Sequence, residues 1–286
     1  MLDETTIEQA TLAPAAAVQD APLPLEDISF TAATVSDPAQ AKVTEPVKTV
    51  AAIVLPEAPV DPVTPNLGCD IGFHGTPGNM ASVDLTVTAP CYGNARVTVH
   101  HNGMMFTETT SRDGQLEVTV PALNQDAVFI VEFTNGKGAV AEVDVPALAD
   151  YDRVAVQWSG NTGFAVHARE FGAAYGGQGH AWSGSVDSAV GVVTQLGNRD
   201  TLAPQLAEIY TFPRGMSEQV GTVALTIETE VTDSNCGRDV AAQSLELRGS
   251  NQLRTRDLVL AMPDCTAIGD FLVLNNLVDD LKIALK

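Results

Sequence analysis

"NARVTVHHNGMMFTE", residues 94–108, alternates apolar and polar positions on either side of an Asn-Gly pair. Asn102 and Gly103 tolerate the positive φ angles of a two-residue type I′ turn, so the stretch reads as a β-hairpin. In that register Val97, Val99 and His101 share one face with Met104 and Phe106, while Thr98, His100, Met105 and Thr107 take the other. His100 and His101 then point to opposite faces and cannot chelate one ion. Beside a hairpin turn, they are expected to be solvated.

The period of two continues outward. "SRDGQ" (111–115) fits a three-residue loop with Gly114 left-handed, which sets Val118 across from Glu108 and Val120 across from Phe106 as a further hairpin. "AVFIVEFTNGKGAVAEVDV" (127–145) gives two more strands about Asn135-Gly136, and "TVALTIETEV" (222–231), "SLELR" (244–248) and "DLVLAM" (257–262) repeat the alternation. Two stretches invite a helix. In "DTLAPQLAEIY" (200–210) Pro204 limits any helix to a turn or two. "FLVLNNLVDDLKIALK" (271–286) fits either period, and strands broken near Asn275-Asn276 are expected. The chain reads as all-β: two antiparallel β-sandwich-like domains, 67–147 and 148–286, the first with edge strands open to strand addition by a partner.

Residues 1–66 differ in kind. They hold nine of the 16 prolines, none of the 23 glycines, a single aromatic (Phe30), and ten acids against two lysines. Such a segment buries too little apolar area to offset the entropy of ordering, so a disordered Pro/Ala/acidic tether is expected. With 15 basic and 36 acidic residues the formal charge is -21, which repels phosphate backbones and anionic headgroups and speaks against nucleic acid as a partner. No apolar run approaches the ~18–20 residues of a membrane-spanning helix.

The four cysteines fall as Cys69 and Cys91 in the first region and Cys236 and Cys265 in the second. Free buried thiols are one reading. Two disulfides, each contributing roughly 3–4 kcal/mol in the chain-entropy model, are the favoured one and require an oxidising compartment. Because "MLDETTIEQA" has neither a basic nor an apolar leader segment, an export or anchor segment is expected to have been trimmed from this sequence. Any membrane association would run through that anchor.

The densest chemistry lies in "GFAVHAREFGAAYGGQGHAW" (163–182). On a strand, His167 and Arg169 share a face, with Glu170 on the opposite one, and His180 folds back against His167 only after a Gly-rich bend. Two histidines are short of the three or four ligands of a zinc site, so no metal or cofactor is expected. Trp158, Phe164, Tyr175 and Trp182, with Arg169, Gln178 and His180 nearby, include the flat apolar plates and fixed donors of a shallow sugar site, although the tryptophans fit a core equally well. No nucleophile elbow, phosphate loop or dinucleotide fingerprint occurs. Carboxylate pairs such as Glu228 and Glu230 have the composition of a glycosidase site, but 36 acids supply many such pairs by chance.

"APCYGNARVTVHHNGMMFTETTSRDGQLEVTVPAL" (89–123) resembles the carboxypeptidase-regulatory-like and immunoglobulin-like sandwiches of bacterial surface proteins. With "VHAREFGAAYGGQGHAW" and "DFLVLNNLVDDLKIAL", residues 67–286 resemble a group of alphaproteobacterial envelope proteins, some labelled translocase. The resemblance implies a membrane-anchored periplasmic protein and carries over no catalytic residue. The expectation is a non-catalytic envelope binding or scaffolding protein facing a protein partner or a glycan. The alternative is a hydrolase of envelope polysaccharide or peptidoglycan that uses acids and aromatics of the second domain.

Overall fold

The computed structural model describes residues 68–185, 189–214, 219–249, 252–275 and 277–284, so the expected tether lies outside the described residues. The fold is all-β. The strands are β1 (Gly72–Pro77), β2 (Ser82–Thr88), β3 (Arg96–His101), β4 (Met104–Thr109), β5 (Gln115–Pro121), β6 (Asp126–Phe133), β7 (Gly138–Asp144), β8 (Asp152–Ser159) and β9 (Phe164–Glu170). They continue with β10 (His180–Ala181), β11 (Val192–Leu196), β12 (Gln205–Phe212), β13 (Gly221–Glu230), β14 (Asp239–Leu247), β15 (Arg254–Ala261), β16 (Phe271–Leu274) and β17 (Leu281–Ile283). Every pairing is antiparallel. Among the described residues there is no α-helix, and no helix long and apolar enough to cross a membrane.

Sheets β1-β2-β5 and β4-β3-β6-β7 form the first body. The hairpin at Asn102-Gly103 forms in the expected register, His101 opposite Met104 and Val99 opposite Phe106, with φ of 46° and 86° at the turn. The second expected hairpin does not form. β5 leaves β4 and pairs with β2, Val120 opposite Val83 and Val118 opposite Leu85. The turn chemistry is nevertheless as read, since Gly114 has φ +75° and Gly114 N–H donates to Ser111 O. A Cβ there would fall 1.9 Å from Ala89 O, because the turn is a tight corner between two sheets. Crossing to the facing sheet lets both apolar stripes close on one core, which pairing with β4 would not do.

The second body stacks β11-β12-β8-β14-β15 on β10-β9-β13-β16, with β17 also on β13. β12 begins directly after Pro204, so the helical turn considered there is replaced by a strand. The chain's last segment is β16 and β17, with the break near Asn275.

The two bodies share a core. Val154, Val156 and Trp158 of β8 and Leu206 and Tyr210 of β12 face β9 and β13, whereas Ala155, Ala207, Ile209, Leu245 and Leu247 pack into the same cluster as Val97, Phe106 and Phe129 of the first body. The middle of the central sheet is covered on both sides: β8 is buried from Asp152 to Trp158 and β12 from Leu206 to Phe212. Both bodies fall in one compact unit. The edge of β4 is occupied as well: Asn198 N–H donates to Thr107 O (2.7 Å), and Gln157 clasps the hairpin by accepting from Met105 N–H (2.8 Å) and donating to Gly103 O (2.9 Å). Strand addition at that edge is thereby blocked.

Arg153 crosses the junction. It is fully buried, and its guanidinium donates to the main-chain carbonyls of Ala122, Met80 (2.5 Å) and Ala81 (3.0 Å). Met80 and Ala81 are consecutive non-glycine residues with φ of 52° and 54°, a conformation that costs on the order of 1–3 kcal/mol each. Burial lowers the Arg153 pKa to about 9, partly countered by Tyr151, yet the group stays cationic at neutral pH.

His101 corrects the expectation of a solvated pair. It is buried and stacked on Phe129 at 4.1 Å; its Nε2 accepts from Leu123 N–H (2.7 Å), which leaves Nδ1–H to donate to Val128 O (2.9 Å). The neutral ring is fully satisfied, and burial pulls its pKa down to about 4. Both disulfides are formed, Cys69–Cys91 and Cys236–Cys265, which points to an oxidising, extracytoplasmic setting.

Two outcomes follow from the junction. Arg153→Ala leaves the buried Ala122 carbonyl without its donor and removes the charged donor from Met80 O and Ala81 O, the latter keeping only Ala122 N–H, and is expected to lower unfolding stability by about 3 kcal/mol, read as one shifted urea transition for both bodies. For His101 the unfolded imidazole takes up protons below pH 6.5 while the native one stays neutral to about pH 4, so this residue's contribution is intact above 6.5 and is lost as pH falls toward 4. The expected loss is about 3 kcal/mol, and NMR should report a neutral His101 ring at pH 5.

Candidate functional site

Alternation along β9 decides which side chains are available. Phe164, Val166, Ala168 and Glu170 face inward and are buried, while Ala165, His167 and Arg169 lie on the outer face. β13 pairs Thr226 with His167 and Glu228 with Ala165, and β10 pairs His180 with Arg169. The outer face of this sheet therefore collects His167, Arg169, His180, Thr226 and Glu228. The Gly-rich segment 171–179 bends over it and sets Tyr175 on top, its hydroxyl donating to Glu228 Oε1 at 2.5 Å.

The hydrogen bonds have a direction. Gly176 N–H donates to His180 Nδ1 (2.8 Å), so neutral His180 carries its proton on Nε2 and donates it to His167 Nδ1 (3.0 Å). His167 in turn carries its proton on Nε2, which sits 3.7 Å from Glu228 Oε2, an electrostatic contact longer than a hydrogen bond. Thr226 Oγ1 donates to Glu228 Oε1 at 3.2 Å. Burial lowers the His167 pKa against the opposing pull of Glu228 and Glu208, and it lowers that of His180 with help from His167 and Arg169. Burial and the bond to Glu228 raise the Tyr175 hydroxyl.

The rings complete the cluster. Trp182 lies parallel to His167 at 5.8 Å, and the Arg169 guanidinium sits 4.8 Å from the Tyr175 ring centre. A Cβ on Gly184 would come within 2.3 to 2.7 Å of three carbons of the Trp182 ring, so the glycine backbone rests on the indole face. Tyr175 and Trp182 nonetheless remain 49% and 38% exposed.

Five of the eight expected residues thus meet on one surface: His167, Arg169, Tyr175, His180 and Trp182. Trp158 and Phe164 do not. They are buried in the core with ring centres 5.9 Å apart, because period two puts Trp158 on the same side as Val154 and Val156. Gln178 is exposed but lines a separate cleft of about 530 Å³ with Glu170 and Val190. Among the described residues no group of three or more His, Cys, Asp or Glu is arranged to hold a metal, and the two imidazoles bond each other.

Glu228 was named in the sequence only as half of a carboxylate pair with Glu230, and Glu208 is the residue that sequence reasoning passed over. Glu208 reaches across the core to accept from Val166 N–H (2.8 Å), where short β10 leaves the edge of β9 unpaired, and from Gln195 Nε2 (2.7 Å). The only signal of Glu208 was an acid within an otherwise apolar run, "LAEIY". No protein-family model matches the chain, and no curated protein matches it.

Tyr175→Phe removes one donor to Glu228 and the anchor of the bend. The expected outcome is about 1 kcal/mol of lost stability together with faster amide exchange at residues 171–179, and unchanged exchange in β9 and β13.

Proposed function

We propose that this protein is a non-catalytic binding and scaffolding protein of the cell envelope, held in the periplasm, and that the Tyr175, Trp182 and Arg169 surface contacts a glycan. The observation that carries this reading is the pair of aromatic rings, each more than a third exposed, fixed by ring stacking and hydrogen bonds before any ligand arrives. Rigid, exposed rings beside a guanidinium lose little entropy on binding and offer a flat apolar contact with a fixed donor. The formed disulfides and the envelope-protein resemblance support the compartment.

The hydrolase alternative assigns an acid role to Glu228. That carboxylate already accepts from Tyr175 and Thr226 and is 8% exposed, which favours a structural duty for it.

The test is co-sedimentation of the protein with insoluble peptidoglycan and with purified envelope polysaccharide. Tyr175→Ala and Arg169→Ala, with native circular dichroism, are expected to weaken retention roughly tenfold, about 1.4 kcal/mol. Equal retention of wild type and variants would sink the binding surface, and release of reducing ends would replace it with the hydrolase.

A further inference from the structure

A second surface lies on the first body, on the outer face of sheet β4-β3-β6-β7. The register aligns Met105, His100, Ile130 and Val140 in one row across all four strands, with Val128 beside Ile130. Val140 is 55% exposed, and Met105, Val128 and Ile130 are also exposed, although every one stands in a rigid strand. At the usual strand spacing the row is about 14–15 Å long. A cleft of about 340 Å³, lined in part by Met105, Val128 and Ile130, opens into it near the hairpin turn. Solitary apolar residues on a surface need no explanation, but here four exposed apolar side chains, Met105, Val128, Ile130 and Val140, gather on one face around His100, and such a cluster marks an interaction site.

Its rim is acidic. Glu132 stands beside His100, their side chains 3.7 Å apart, Glu142 pairs with Val128, and Asp126 and Asp144 pair at the end of the same two strands. A second copy of this chain is a poor occupant, since it brings the same acids and the same charge of -21. The apolar stripe is also on the order of a few hundred Å², against about 800 Å² per partner in a standard interface. The complementary surface is apolar side chains flanked by lysine or arginine.

We infer that the Met105–Ile130–Val140 face docks a cationic amphipathic segment of a partner protein, with Glu132 and Glu142 selecting its charge. The stripe supplies the apolar contact, and the acids set register and association rate. The surface is separate from the proposed glycan contact, which lies on β9, β10 and the bend after β9.

The probe is a labelled peptide of about ten residues alternating leucine and lysine, with two controls in which glutamate replaces lysine or serine replaces leucine. Fluorescence anisotropy should show binding of the first peptide alone. Ile130→Ser combined with Val140→Ser, both on the exposed face, is expected to weaken it about tenfold. Glu132→Gln with Glu142→Gln should weaken it and flatten its salt dependence, while Tyr175→Ala leaves it unchanged. Equal binding of the serine peptide, or full binding by the Ile130/Val140 variant, overturns the inference. So does sedimentation of the wild type as a dimer that this variant converts to monomer.

Discussion

A single buried cation organises this molecule. Arg153 stands in a strand covered on both faces, and its guanidinium satisfies carbonyls that the neighbouring body presents in an unfavourable backbone conformation at Met80 and Ala81. Charge-assisted hydrogen bonds are worth roughly twice neutral ones, enough to hold that conformation and to make separation of the bodies expensive. Leaving the junction would take the charged donor from the Met80, Ala81 and Ala122 carbonyls and return two apolar faces to water. The middle strands of the central sheet, β8 and β12, are buried along nearly their whole length, and this contact helps to close their second side.

The same logic of satisfied buried polarity governs the outer sheet. A neutral histidine pair joined by one hydrogen bond lies against a carboxylate that accepts from a tyrosine hydroxyl, with an electrostatic contact of 3.7 Å between His167 and Glu228 linking the two. That arrangement adds side-chain anchors to a glycine-rich bend already tied by main-chain hydrogen bonds such as Glu170 N–H to Gly179 O and Gly177 N–H to Ala174 O. What it offers solvent is the edge of the assembly, two rings and a guanidinium.

Much of the fold was legible because turn chemistry and period two are local. Asn102-Gly103, Gly114 and Asn135-Gly136 all turn where the sequence places them, and the inward sets of β3, β4, β6, β9 and β13 follow from alternation. The partner of β5 was not legible, since alternation assigns side chains to faces and does not say which sheet a strand joins. His101 was misread because its two partners, Leu123 and Val128, lie more than twenty residues away. The site was partly visible: a dense run of chemistry-bearing residues marked β9, but Glu228 arrives from β13 and owes its place to sheet order alone. The burial of Trp158 was implicit in its alternation with Val154 and Val156.

The doubly covered sheet also fixes geometry at long range. Because its two faces are the inner walls of both bodies, the outward surface of β3 and β6 and that of β9 and β13 keep a constant mutual orientation, as the two arms of a welded bracket do. Whatever is gripped by one arm is held at a set angle and separation from whatever is gripped by the other.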